Sequence, residues 1–301
     1  MEIILFPVMD SKNRKGRTLR ILLLVIAVLA GFFLVVMAID CNRFVIRKYR
    51  YRTGKLKKDG KVILLSDLHN KSFGKGNYKL VEAIRRINPD LILVAGDMYT
   101  SNSNGDILTA QELICTLARE YPVYYGNGNH EHKTRLFPEY FGTMYQEFSK
   151  KIEEAGVKHL VNEKITLPEY NVDIYGLEIG REYYGKFKTM QMEAEYIETL
   201  LGKPDQNRTS VLIAHNPDYF EAYARWGADL VVSGHIHGGL MRLPVLGGVL
   251  SPAIKLFPKY DGGEFKEESS TMILGRGLGT HTLPIRIFNP GELVVIELCQ
   301  S

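Results

Sequence analysis

From position 61 onward the chain breaks into short apolar and polar blocks whose period switches between strand and helix. Val62 to Leu65 is a continuous apolar run, as a strand buried on both faces requires. Tyr78 to Ile87 carries its apolar residues at helical spacing, and Asn88-Pro89-Asp90 stops it before a second apolar run, Leu91 to Ala95. A further helix, about Ile107 to Arg119, leads into Val123 to Tyr125. Strand, helix, strand, helix, strand implies parallel pairing through crossover helices. Later strands are expected at Asp173 to Leu177, Val211 to Ala214 and Leu230 to Val232, with helices near Thr189 to Leu201 and Asp218 to Trp226. After Gly234 the pattern changes to short strands separated by Gly and Pro, ending with Glu292 to Leu298. The sum is an α/β fold with a layered β core and helices outside.

The N-terminal part follows another rule. Ile21 to Ile39 is uncharged, and nineteen residues rising about 1.5 Å each span roughly 28 Å, close to a hydrocarbon core of about 30 Å. A charged leader also precedes cleaved signal peptides, but this run is long and Met37-Ala38-Ile39-Asp40 lacks a small-x-small cleavage pattern. The reading is therefore a basic tail over 1–20, one transmembrane helix over 21–39, a basic linker over 40–60 and a globular domain over 61–301, held as a single-pass protein of the cytoplasmic membrane. Within fifteen positions of the span, five basic residues lie on each side: Lys12, Arg14, Lys15, Arg17 and Arg20 before it, and Arg43, Arg47, Lys48, Arg50 and Arg52 after it. The positive-inside rule accordingly assigns no orientation.

Composition changes this picture little. With 301 residues, 45% hydrophobic and 24% charged, the chain can build one large core. The formal net charge of +4 is small, and no nucleic-acid partner is expected. Cys41, Cys115 and Cys299 form no spacing motif, so free thiols are the default, buried for Cys115 and Cys299.

The chemistry is concentrated in five polar clusters: Asp67-Leu68-His69, Gly96-Asp97, Gly128-Asn129-His130-Glu131, Ala214-His215-Asn216 and Gly234-His235-Ile236-His237. Each follows an apolar run, so the polar residues emerge where strands end, the place at which open α/β sheets hold ligands. Asp67 and His69 lie two apart, and an extended backbone would point both to one face. Asp97 offers two oxygens able to bridge two cations about 3.5–4 Å apart, the separation used in in-line phosphoryl displacement. Singly, an Asp or Gly at a turn is commonplace. It is the ordered set, holding five of the eight histidines, that carries weight.

On these residues the chain resembles the calcineurin-like metallophosphoesterases, whose pattern is D-x-H, G-D, G-N-H-[D/E], H and G-H-x-H in that order. The similarity is greatest to their bacterial membrane-anchored branch, through His235-Ile236-His237-Gly238-Gly239, Arg242-Leu243-Pro244, Arg276-Gly277-Leu278-Gly279, Leu283-Pro284-Ile285-Arg286 and Asn289-Pro290. The resemblance implies a four-layer αββα sandwich with a binuclear centre of manganese, iron or zinc. By motif, Asp67, His69 and His237 bind one ion, Asn129, His215 and His235 the other, and Asp97 bridges them. A hydroxide between the ions would attack phosphorus, His130 would protonate the leaving oxygen or stabilise its charge, and Glu131 would orient His130. The implied activity is phosphodiester or pyrophosphate hydrolysis, with lipid-linked substrates favoured by the anchor. The alternatives are a phosphomonoesterase of the same fold and a catalytically silent binding module.

This chain departs from the branch pattern at Leu240, where a glutamine is usual, and after Asp97, where Met98-Tyr99-Thr100 lacks an acidic residue. Arg276 and His281, in the glycine-rich C-terminal stretch, are further candidates for supporting the centre or touching substrate. Lys133 and Arg135 are candidate phosphate contacts. Tyr183-Tyr184 reads as a surface aromatic pair, and His132 and His159 have no assigned part.

Overall fold

The computed structural model describes residues 11–102, 105–185, 190–251, 256–280 and 283–301, with side chains from Gly16 onward. Helix α1, Ser11–Asp40, contains the apolar run, and its segment Gly16–Asp40 is long and apolar enough to cross a membrane. It ends in a tight turn, where the Asn42 side chain donates to the Ala38 carbonyl (2.9 Å) and satisfies one of the orphan acceptors of the last helical turn.

The next segment differs from its reading as a basic linker. Phe44–Thr53 forms strand β1, at the edge of a six-stranded sheet and parallel to the last strand of the chain, with Phe44 opposite Gly291 and Thr53 opposite Gln300. Its basic residues face water while Tyr51 is buried. Charged side chains along an exposed strand guard the open edge against pairing with another chain.

The apolar runs then fold largely as their pattern requires. In order come β2 (Gly60–Leu65), α2 (Tyr78–Ile87), β3 (Leu91–Ala95), α3 (Leu108–Ala118), β4 (Val123–Gly126), α4 (Asn129–Leu136), α5 (Pro138–Phe141), α6 (Met144–Glu154) and β5 (Lys158–Leu160). The second half contributes β6 (Glu163–Leu167), β7 (Val172–Leu177), α7 (Ala194–Leu201), β8 (Thr209–Ala214), α8 (Phe220–Trp226), β9 (Leu230–Ser233), β10 (Arg242–Leu243), β11 (Gly247–Gly248), β12 (Gly263–Glu267), β13 (Ser270–Leu274) and β14 (Gly291–Gln300). One sheet has the order β1-β14-β2-β3-β4-β5 and the other β12-β13-β9-β8-β7-β6. The inner strands β2 to β5 and β7 to β9 pair in parallel, as the crossover pattern predicts.

The two sheets pack face to face through Leu64, Leu93, Ile213, Val232, Ile273 and Ile296. Leu80, Ile84, Leu113, Phe148 and Ile152 from α2, α3 and α6 cover the outside of the first sheet. Ile197, Phe220, Tyr223 and Trp226 cover the outside of the second. The result is the αββα sandwich. Because the inner strands of each sheet are parallel, the loops after β2, β3, β4, β8 and β9 leave the strands at their C-terminal ends and meet at one edge of the sandwich.

Candidate metal centre

Each of those five loops carries one of the polar clusters. The loops after β2 and β3 are laced together by backbone bonds, from the Asp67 N–H to the Gly96 carbonyl (3.0 Å), His69 to Asp97 (3.1 Å) and Asn70 to Met98 (3.1 Å). The backbone is not extended here. Asp67 and His69 have φ of 49° and 46°, and Asp97, His235 and His237 have 54°, 74° and 55°. The pair Asp67 and His69 therefore shares a face through left-handed turns, and strand alternation plays no part. Five such residues in one place store backbone strain of the kind that clusters at functional sites. Gly96 and Gly128 permit the closeness, since a Cβ on Gly96 would strike the Gly128 backbone and one on Gly128 would strike Asp97.

The side chains converge accordingly. Asp67, His69 and His237 bring ligand atoms within 4.8 Å of one another, and so do Asp97, His215 and His235. His69 Nε2 lies 3.1 Å from His237 Nε2, and His237 Nε2 lies 3.4 Å from Asp67 Oδ1. Asp97 Oδ2 stands between the groups, 3.1 Å from His215 Nε2 and 3.9 Å from both His69 Nε2 and His130 Nε2. Asn129 opens α4 directly after Gly128, which itself packs against Asp97.

This donor set fits divalent ions. Asp67 Oδ2 and Asn129 Oδ1 are buried and accept no hydrogen bond among the described residues. Buried oxygens without donors are costly, and a cation would satisfy both. Each carboxylate keeps its other oxygen fixed by a backbone N–H, His235 to Asp67 Oδ1 (2.9 Å) and His130 to Asp97 Oδ1 (2.8 Å). Burial pushes Asp67 up to about 6. Burial works the same way on Asp97, but His215 and His130 outweigh it and hold its carboxyl well below the usual range.

The Glu131 carboxylate clamps the loop that carries Asp97. It accepts the Asp97 N–H (2.9 Å), the Met98 N–H (2.9 Å), the Gly128 N–H (3.0 Å) and the Tyr125 hydroxyl (2.7 Å). The residue thus completes a capping box at the start of α4 while clamping the Asp97 loop. His130 is held by Ser101, whose N–H lies 2.9 Å and whose hydroxyl lies 2.7 Å from Nδ1. A ring nitrogen that accepts a backbone N–H carries no proton, so the neutral ring keeps its hydrogen on Nε2, the atom facing Asp97. Nothing in the sequence around Ser101 announces this.

An open cavity of about 590 Å³ leads to His130, lined also by His69, Asn70, Thr100, Ser101, Asn102 and Lys133. Lys133 stands on its wall, as a phosphate contact would. Arg135 turns away into an ion pair with buried Glu178. Arg276 lies behind the His235–Gly239 loop, its Nε 3.2 Å from Glu292 and its Cδ against Gly238, and so supports that loop without lining the cavity. His281 falls outside the described residues. Tyr184, read as a surface aromatic, packs its ring edge-on to His235 at 5.4 Å and walls the centre.

A match to the family described as calcineurin-like phosphoesterase covers residues 60–239, more than half of the chain and all five clusters. The chain belongs to that family. Among curated relatives, the family member is similar to an uncharacterized metallophosphoesterase, Cj0846, of Campylobacter jejuni, 25% identical over 81% of this chain and 60% of that protein. It is similar to phosphodiesterase YaeI of Escherichia coli, 25% identical over 64% of this chain and 66% of that protein. It also matches UDP-2,3-diacylglucosamine pyrophosphatase LpxG of Chlamydia muridarum, 22% identical over 79% of this chain and 83% of that protein. The chain thus spans less than two thirds of the Campylobacter protein's length.

Proposed function

We propose that this phosphoesterase is a membrane-anchored, two-metal phosphodiesterase or pyrophosphohydrolase that acts on a phosphoester presented at the bilayer surface. The observation that carries the reading is Asp97, a buried carboxylate standing between two sets of imidazole ligands with His130 facing the same oxygen. Asp67, His69 and His237 would hold one ion and Asn129, His215 and His235 the other, with Asp97 standing between the two sets. Such ions supply Lewis acidity at the phosphoryl group and bring the pKa of water toward neutrality.

The protein supplies the rest. His130, with Nδ1 tied to Ser101, presents the Nε2 proton to the leaving oxygen, a contribution of about 10²- to 10⁴-fold for a general acid. Lys133 on the cavity wall offsets the charge of the phosphoryl oxygens. Glu131 keeps the Asp97 loop from shifting as charge develops.

The anchor favours a membrane-borne substrate. Asp40, the last residue of α1, accepts the Asn289 N–H (3.0 Å), and the Asn289 side chain donates to the His237 and Gly239 carbonyls (2.7 Å each). A single residue therefore stands between the end of the apolar helix and the loop bearing His235 and His237. The names of YaeI and LpxG agree with diester and pyrophosphate chemistry for relatives of this chain.

The test is manganese-dependent hydrolysis of a chromogenic phosphodiester and its monoester analogue by the purified protein. The reading expects diester turnover in excess of monoester turnover, with His130→Ala slowed about 10²- to 10⁴-fold and its metal retained. Preference for the monoester would replace the diesterase reading, and full rate in His130→Ala would remove its acid.

A further inference from the structure

The loops beside the metal centre carry bulky apolar residues that no other described residue covers. Val245, Leu246, Leu256, Phe257, Leu283 and Phe288 are all exposed. They form one surface, because backbone bonds join their segments: Ile287 to Leu240 (3.1 Å), Arg242 to Ile287 (3.0 Å), Leu240 to Leu250 (2.7 Å) and Phe257 to Val249 (3.0 Å). Soluble proteins rarely leave such patches open. Three of the six, Val245, Phe257 and Phe288, have φ of 69°, 48° and 55°, a region costly for bulky and β-branched residues.

Their position relative to α1 tells what covers them. The Phe288 ring lies 6.3 Å from Phe32 and 6.2 Å from Phe33, centroid to centroid. The adjoining loop is fixed to the helix end by the Asn289 N–H on Asp40 (3.0 Å) and by the Cys41 thiol on the Pro284 carbonyl (3.4 Å). Ile21 to Ile39, about 28 Å long, only just fills a hydrocarbon layer of about 30 Å, so Ile39 must lie near its boundary. Phe33 is six residues earlier and hence about 9 Å deeper. A ring packed against Phe32 and Phe33 is therefore below the membrane surface, within the 5–10 Å that interfacial elements typically penetrate.

We infer that the loop residues 240–251, 256–257 and 283–288 form a second membrane contact, an apolar rim that enters one leaflet beside α1 and holds the metal-centre opening at headgroup level. The inference rests on α1 being a membrane anchor, and its test separates the two claims. Tryptophan is placed at Val245, Phe257 or Leu283, at Val28 in mid-helix, and at Leu108, which is exposed on α3 outside the rim. Each full-length variant is reconstituted in phosphatidylcholine vesicles brominated either near the headgroup or near the bilayer centre, against wild type carrying only Trp226. Unchanged hydrolysis of a soluble chromogenic diester shows that each variant is folded.

The rim predicts a blue shift and quenching at 245, 257 and 283, stronger with the shallow bromines, deep quenching at 28 and none at 108. Quenching at 28 but not at the three rim positions overturns the rim and leaves the anchor standing. Blue shifts without lipid quenching assign the patch to a second copy of the chain and overturn it too. Loss of quenching at 28 removes anchor and rim together.

Discussion

Replacing Glu131 by glutamine separates a residue that holds the Asp97 loop from one that orients His130. The carboxylate is fully buried and accepts four donors at 2.7–3.0 Å. An amide of the same shape must present NH₂ where one oxygen stood. On the Oε2 side it would face the Asp97 and Gly128 N–H groups, neither of which can turn. On the Oε1 side it would face the Met98 N–H, while the Tyr125 hydroxyl can rotate to accept. The second arrangement is cheaper and leaves one buried N–H unsatisfied, about 1–3 kcal/mol, with the remaining bonds losing the assistance of charge. Burial, which pushes Glu131 up to about 7, works in the opposite direction, because glutamine has no charge to desolvate. The net expectation is a loss of about 2 kcal/mol, or about 4–8 °C in melting temperature for a domain of this size. Urea and thermal unfolding of the full chain, read with its metal content and diester turnover, measure it. Metal retention and turnover should fall with stability. A variant less than about 0.5 kcal/mol destabilised but slowed in turnover with its metal intact would refute the loop-clamp account and return Glu131 to His130.

Ser101→Ala retains the backbone N–H on His130 Nδ1 and should lose less than about tenfold in turnover, whereas Ser101→Pro removes that donor and should approach the His130→Ala rate; equal rates in the two variants would contradict the tautomer argument. Arg286 is fully buried and donates to the carbonyls of Arg276, Gly277, Gly279 and Asn289. Arg286→Met should therefore cost about 3–5 kcal/mol in urea unfolding by leaving these acceptors unsatisfied, and near-wild-type stability would show that water replaces them. Chelation should lower the melting temperature and excess manganese restore it, by an amount near 2.7 kcal/mol at a hundredfold excess over Kd; a melting temperature indifferent to both would argue against a metal at the buried oxygens of Asp67 and Asn129.

Where the sequence reading succeeded and where it failed has a physical pattern. The inner strands were legible because each is buried on both faces and so reads as an unbroken apolar run, as at Leu91–Ala95. The clusters were legible because their candidate ligand residues follow those runs directly. Strand β1 was not, because its pairing to Gly291–Gln300 is remote in sequence and its exposed edge is basic. Helix α4 escaped because it begins inside the Asn129-His130-Glu131 cluster and is polar nearly throughout. The part taken by Glu131 depends on where the Asp97 and Met98 amides stand, more than thirty residues away, which spacing cannot reveal. Tyr184 likewise looks like a surface residue until the loop that bears it is folded onto His235.

The central claim is that Asp97 joins two metal ions into one hydrolytic centre. Metal stoichiometry of the purified full-length wild type and Asp97→Ala proteins, measured by elemental mass spectrometry on the samples used for diester turnover, tests it most directly. The account predicts two ions per active wild-type chain, with Asp97→Ala losing at least one of them and all measurable turnover. An Asp97→Ala protein that keeps both ions and the wild-type rate would contradict it.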